Sequence, residues 1–124
     1  MDIDTVKKRL EILGYEHDPS EDSVIDYVIQ MTAQTIRNTC NRFDIPESLE
    51  YVWCDMVCGE LLGTKLAMGK LTSVQISQIA TRIKEGDTEV TFAEGIDPRQ
   101  HLTALFRNMA SGNGQLIKHR KLAW

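Results

Sequence analysis

The chain is poor in the residues that break or staple a fold. Proline occurs only three times in 124 residues, at Pro19, Pro46 and Pro98. Each stands where a helix is expected to begin, the one place in a helix that tolerates its missing N–H. Cysteine also occurs three times, at Cys40, Cys54 and Cys58. An odd count without framework spacing argues against a disulfide scaffold and for reduced, buried thiols in a reducing compartment. No long apolar run exists: the most hydrophobic stretch, Val52 to Met68, is interrupted by Asp55, Glu60 and Lys65. Neither a signal peptide nor a membrane span is therefore expected. A glycine-rich phosphate loop, H-E-x-x-H and G-x-S-x-G are all missing, so the sequence offers no catalytic residues and no cofactor, and the expectation is a protein that is not an enzyme.

What is present describes a soluble globular domain, 42% hydrophobic and 26% charged, and its length suits a single core. Charge is divided unevenly along it. Residues 1–97 hold 9 basic and 18 acidic side chains, whereas 98–124 hold 5 basic and none acidic. A net −4 thus conceals an acidic body and a cationic C-terminal part that suits an acidic partner.

The periodicity is mostly helical. Val6, Leu10 and Leu13 share one face of a first helix from about Asp4 to Leu13, with Gly14 at the turn. Asp18-Pro19-Ser20-Glu21 has the capping-box pattern and opens a second helix to about Cys40. Its spacing points Val24, Ile25, Val28, Ile29, Thr35 and Ile36 inward and Asp26, Gln30, Gln34 and Arg37 outward. A third helix from Pro46 to about Met68 is apolar around nearly its whole circumference and should be the central one. Asp97-Pro98-Arg99-Gln100 starts a last helix with Leu102, Leu105, Phe106 and Met109 as its stripe, and Ser111-Gly112-Asn113-Gly114 ends it.

Between these helices, β-branched residues and alternation predict a β-hairpin over Ile79 to Phe92, IATRIKEGDTEVTF, turning at Gly86-Asp87. In that register Ile83 faces Val90, Thr81 faces Phe92, and Lys84 faces Glu89. A hairpin with two open edges is marginal alone. Its edges are expected to be completed by another subunit, which makes Ile83, Gly86, Asp87, Val90 and Phe92 an assembly element. The predicted fold is thus mainly α, a small bundle of about four helices over residues 1–114 with one hairpin insertion, followed by an extended C-terminal arm over 115–124.

Few residues invite chemistry. Cys54 and Cys58 lie four apart on one helical face, but a zinc site needs a second ligand pair, and His17, His101 and His119 are scattered, so no metal is expected. Glu60 falls among apolar neighbours on the third helix and reads as a buried structural charge paired with Arg37 or Arg42. Gly59 and Gly63 are spaced for close approach of another helix. The arm combines Lys118, His119, Arg120 and Lys121 with Leu122 and Trp124, cations beside an aromatic anchor. Such a tail can dock on a partner or hold a nucleic-acid backbone, and the second possibility makes a small helical nucleic-acid-binding regulator the alternative reading.

The order of these parts, together with Gly86-Asp87 before a strand ending in Phe92 and the terminal Arg120-Lys121-Leu122-Ala123-Trp124, resembles the head-tail connector proteins of long-tailed bacteriophages and prophages. The resemblance implies a helical head-completion adaptor that forms a homo-oligomeric ring, a dodecamer in the virion and a monomer in solution, beneath the portal. It implies a virion-neck location, with assembly in the bacterial cytoplasm. The ring would contact portal, neighbouring copies and a downstream neck or tail protein, and would pass DNA without sequence-specific binding. Lys118 to Trp124 would be the arm that reaches the portal or a neighbour; His119 departs from the aromatic or arginine expected at its position.

Overall fold

A computed structural model of the chain describes residues 1–86, 97–112 and 114–116. Five α-helices account for most of them: α1 Ile3–Ile12, α2 Asp22–Cys40, α3 Glu50–Ala67, α4 Ser73–Gly86 and α5 Pro98–Ser111. There is no strand among the described residues. The chain is mainly helical, with one helix more than the periodicity predicts.

Local chemistry explains where the helices start. Asp2 accepts a bond from the Thr5 amide at 3.0 Å and caps α1. Asp18 accepts from the Ser20 amide at 2.9 Å while Glu21 takes the Asp18 amide at 3.2 Å. This reciprocal box closes a 3₁₀ turn, Pro19–Glu21, that runs directly into α2. Pro46 leads into a second 3₁₀ turn, Glu47–Leu49, ahead of α3, and Asp97 caps α5 through the Arg99 amide at 3.0 Å. Helix α5 ends on Gly112 at φ +82°, a left-handed conformation that costs glycine little.

Helix α3 is the hub, packed by α1, α2 and α5. Cys54, Met56, Val57, Cys58, Leu61, Leu62 and Leu66 are all buried along it. The main core joins Val6 and Leu10 of α1, Ile25 and Ile29 of α2, Ile76, Ile79 and Ile83 of α4, and Leu102 and Phe106 of α5. Each fully buried aliphatic or aromatic side chain here stabilises the fold by about 1.5–3 kcal/mol. A smaller cluster of Ile36, Cys40, Leu49, Met56 and Leu116 closes the other end of α2.

The predicted hairpin is not what forms. Its first arm, Ile79 to Glu85, lies inside α4, and its second arm, Asp87 to Phe92, falls outside the described residues. Ile76, Ile79 and Ile83 are spaced by three and four residues, which buries all three on one side of a helix. The break in alternation near Ser77-Gln78 is therefore helical period rather than a bulge. Thr72 and Gln75 supply the start signal: the Thr72 hydroxyl accepts from the Gln75 backbone N–H at 3.1 Å and the Gln75 side-chain Oε1 accepts from the Thr72 backbone N–H at 2.9 Å.

Two smaller corrections concern α2 and the arm. Val24 and Thr35, expected inward, are exposed, and Thr35 instead donates to the Met31 carbonyl at 3.2 Å. The folded body also continues past residue 114, since Leu116 is buried and its carbonyl accepts a weak bond from the Cys40 thiol at 3.4 Å.

Candidate functional site

The expected assembly element separates into parts. Ile83 is buried in the core and is therefore unavailable to a second subunit, and Gly86 ends α4. Asp87, Val90 and Phe92, like Lys118, His119, Arg120, Lys121, Leu122 and Trp124 of the arm, lie outside the described residues. Glu60 is only half-buried, and it makes no ion pair with Arg37 or Arg42 among the described residues. It sits on a shared rim between two grooves, one on each side of α3.

The first groove, about 520 Å³, runs between α3 and α5. Gly59 lets the two helices touch backbone to backbone: a Cβ there would stand 2.6 Å from the Ala110 amide nitrogen and 2.7 Å from the Phe106 carbonyl oxygen. Gly63 is looser, with the Phe106 Cβ 3.4 Å from where its own Cβ would be. The close approach expected of this glycine pair is thus made by α5. On the far wall Arg99 and Arg107 are exposed two turns apart, with Thr103 between them. A helix without a single acidic residue in its span presents this cationic edge beside the Glu60 carboxylate.

The second groove, about 370 Å³, runs between α2 and α3 and has a different chemistry. Val24, Tyr27, Met31 and Met68 line it and remain 55%, 67%, 38% and 61% exposed, over a floor of Val28 and Leu61. Solvent-facing apolar side chains gathered in one place mark an interaction surface more often than scattered ones do. The sequence carried a sign of it. Apolar positions on α2 span Val24, Ile25, Tyr27, Val28, Ile29 and Met31, an arc wider than one core-facing stripe requires.

A polar network closes one end of this groove. Tyr15, buried on the loop after α1, donates from its hydroxyl to Glu21 at 2.8 Å. Lys65 of α3 meets the same carboxylate at 3.4 Å and lies 5.8 Å from the Tyr15 ring centre. Burial, the Glu21 hydrogen bond and the carboxylate's charge together raise the Tyr15 phenol well above its ordinary range. Glu21 therefore ties three things together: the start of α2, the tyrosine and the groove's lysine.

Two other features bear on chemistry. A third concavity, about 1040 Å³, lies between the α1–α2 loop and α4, where Glu11, Glu16 and Arg82 give it mixed charge and His17 joins the lining. His17 Nε2 stands 3.3 Å from Glu11. Cys54 and Cys58 are free thiols on α3 beneath α1, with contacts of 3.8 Å to the Thr5 carbonyl and 4.0 Å to the Val6 carbonyl. Their mutual hydrogen bond lowers the Cys54 thiol and, together with burial, pushes Cys58 far up. Both are nearly inaccessible, so a solute must part α1 from α3 to reach them.

Among the described residues, no group of three His, Cys, Asp or Glu side chains is placed to hold a metal ion, and no helix is long and apolar enough to cross a membrane. No protein-family model, no curated protein and no solved structure matches the chain.

Proposed function

We propose that the chain is a structural subunit of the neck of a long-tailed bacteriophage or prophage, a head-completion adaptor that forms a ring beneath the portal. Such a ring extends the DNA channel, helps retain packaged DNA and offers its free face to the next neck or tail protein. Its place is the virion neck, after assembly in the host cytoplasm. The observation that carries this reading is the division of charge: an acidic helical body joined to α5 and a terminal segment that contain only cations. An acidic channel wall lets DNA slide without adhering, and a cationic, tryptophan-ended arm suits docking on a partner. The apolar α2/α3 groove supports it further, because an assembling subunit needs surface that it does not bury alone.

The second reading, a small regulator that grips nucleic acid, draws on the exposed Arg99 and Arg107 of α5, which add to the cations Lys118, Arg120 and Lys121 of the C-terminal sequence. One experiment separates the two. Purified chain is mixed with a portal and imaged by electron microscopy, while duplex DNA binding is followed across a salt series. A ring at the portal's narrow end that is lost with Trp124→Ser and Arg120→Ser supports the adaptor. No ring, together with DNA affinity that falls steeply as salt rises, overturns it in favour of the regulator.

A further inference from the structure

Helix α2 shows solvent a face unlike the other helices'. Ten of its 19 residues are exposed, and only one of the ten, Asp26, is charged. On α1, three of the five exposed residues are charged. Depletion of charge beside exposed tyrosine and methionine is the composition of a protein interface. We propose that two copies of the chain pair through this face, α2 against α2 about a two-fold axis, each α2 resting on the other copy's α2/α3 groove.

The spacing suits a helix that meets another helix. Val24, Tyr27, Met31, Gln34 and Asn38 are all exposed and follow one another by three, four, three and four residues. That period of 3.5 is the seam of a coiled coil, and it is separate from the core stripe of Ile25, Ile29 and Ile36. The seam is apolar in its first half and amide in its second, where Gln34 Nε2 donates to Asn38 Oδ1 at 2.9 Å. A polar position in such a seam fixes its register. Asp26 lies about a third of a turn round the helix from the seam, outside the contact.

Charge selects the occupant. Four charged side chains line the groove, Glu21, Glu60, Lys65 and Lys70, and they cancel. Residues 1–97 as a whole hold 18 acids against 9 bases. A second acidic body is therefore repelled over most of this surface but not here, and neither a nucleic acid nor a strongly basic segment gains from a lining without net charge. Direction follows from charge as well. Residues 18–26 hold four acids and no base. Parallel pairing would bring these stretches of the two copies together, whereas antiparallel pairing sets them at opposite ends and aligns the helix dipoles favourably. With Tyr27 near the centre, Val24 then faces Met31 of the other copy.

A single helix pair about 28 Å long is at the small end of stable interfaces, so a reversible, micromolar dimer is expected. The pair departs from the monomer in solution that the phage resemblance implies. It does not rest on that reading, because a two-fold contact closes at two copies whereas a ring requires a head-to-tail one.

The test follows the full chain by sedimentation equilibrium from micromolar to millimolar concentration. The expected result is a mass that rises from one copy to a plateau at two. Tyr27→Glu should weaken association at least about tenfold with circular dichroism unchanged. The matched control Ile12→Glu, at an exposed apolar residue of α1 that does not line the groove, should leave association as it is. Val24→Glu and Met31→Lys should each weaken the pair, and mixing the two variants should restore it, because only antiparallel helices bring those two positions together. A single-copy mass throughout overturns the proposal, as does a mass that climbs past two copies or a dimer indifferent to Tyr27→Glu. No recovery in the mixture overturns the antiparallel pair. A failure to form a ring on the portal would leave all of these outcomes untouched.

Discussion

The two sides of α3 solve the same problem differently. Toward α5 the helix gives up side chains at Gly59 and Gly63, and the backbones close to contact. Toward α2 it keeps Leu61 and Met68, yet the facing Tyr27 and Met31 stay in solvent and a groove remains. The first side is spent on holding the molecule together; the second is apolar surface that the fold leaves over. Apolar character alone therefore does not identify core, and what separates the two sides is whether a second helix comes close enough to expel water.

The sharpest way to break the comparison is to load the tight side. Gly59→Ala places a methyl within 2.6 Å of the Ala110 backbone nitrogen, which no side-chain rotation relieves. Overpacking of this kind costs about 3 kcal/mol, and the better helix propensity of alanine returns about 1 kcal/mol, so a net loss near 2 kcal/mol is expected. That corresponds to a Tm about 8 °C lower at this chain length. Gly63→Ala meets its neighbour at 3.4 Å and should keep most of the propensity gain, leaving Tm unchanged or slightly raised. Equal losses at the two glycines in a calorimetric scan would mean that α5 does not rest on Gly59.

An intermediate effect is expected at the end of the apolar groove. Tyr15→Phe removes a hydrogen bond to a half-buried carboxylate and should cost about 1.5 kcal/mol at neutral pH. The sign with pH follows from the raised phenol. Above the ordinary tyrosine value of 10, the unfolded chain releases a proton that the folded chain retains, so stability is full below that point and declines as pH rises past it. The phenylalanine variant should lack this part of the alkaline decline. Parallel urea titrations of both proteins at neutral and alkaline pH measure it, and identical pH slopes would contradict the buried Tyr15–Glu21 bond.

Much of this architecture was legible because local chemistry and apolar period agreed. The Asp18-Pro19 and Asp97-Pro98 starts, the central α3 and the stripe of α5 all follow from residues within one or two turns of each other. Helix α4 was misread because its two signals conflict. Val74, Ile76, Ile79 and Ile83 favour strand by type, whereas the spacing of the last three favours helix. A buried face decides such conflicts, and here it decides for the helix. The Thr72-x-x-Gln75 box was available to tip the reading. The groove was harder to foresee, since sequence shows that Tyr27 and Met31 are apolar but not that α3 leaves them uncovered. Glu60 shows the same limit: its apolar neighbours were visible, but the open rims that keep it solvated depend on the distances of α2 and α5 from α3.

The smallest expected effect is the most informative about the leftover side. Met68→Gln keeps the length of an exposed side chain at the end of α3 and changes only its polarity. If the groove is surface set aside for a ligand, the substitution should move global stability by no more than about 0.5 kcal/mol, the range of ordinary surface changes. Helicity should stay unchanged as well, because the substitution keeps the side chain's length at an exposed position. A loss of stability comparable to that of Gly59→Ala would instead make Met68 part of the core. Denaturant midpoints distinguish the two, because core damage lowers the midpoint whereas a change at the surface leaves it in place.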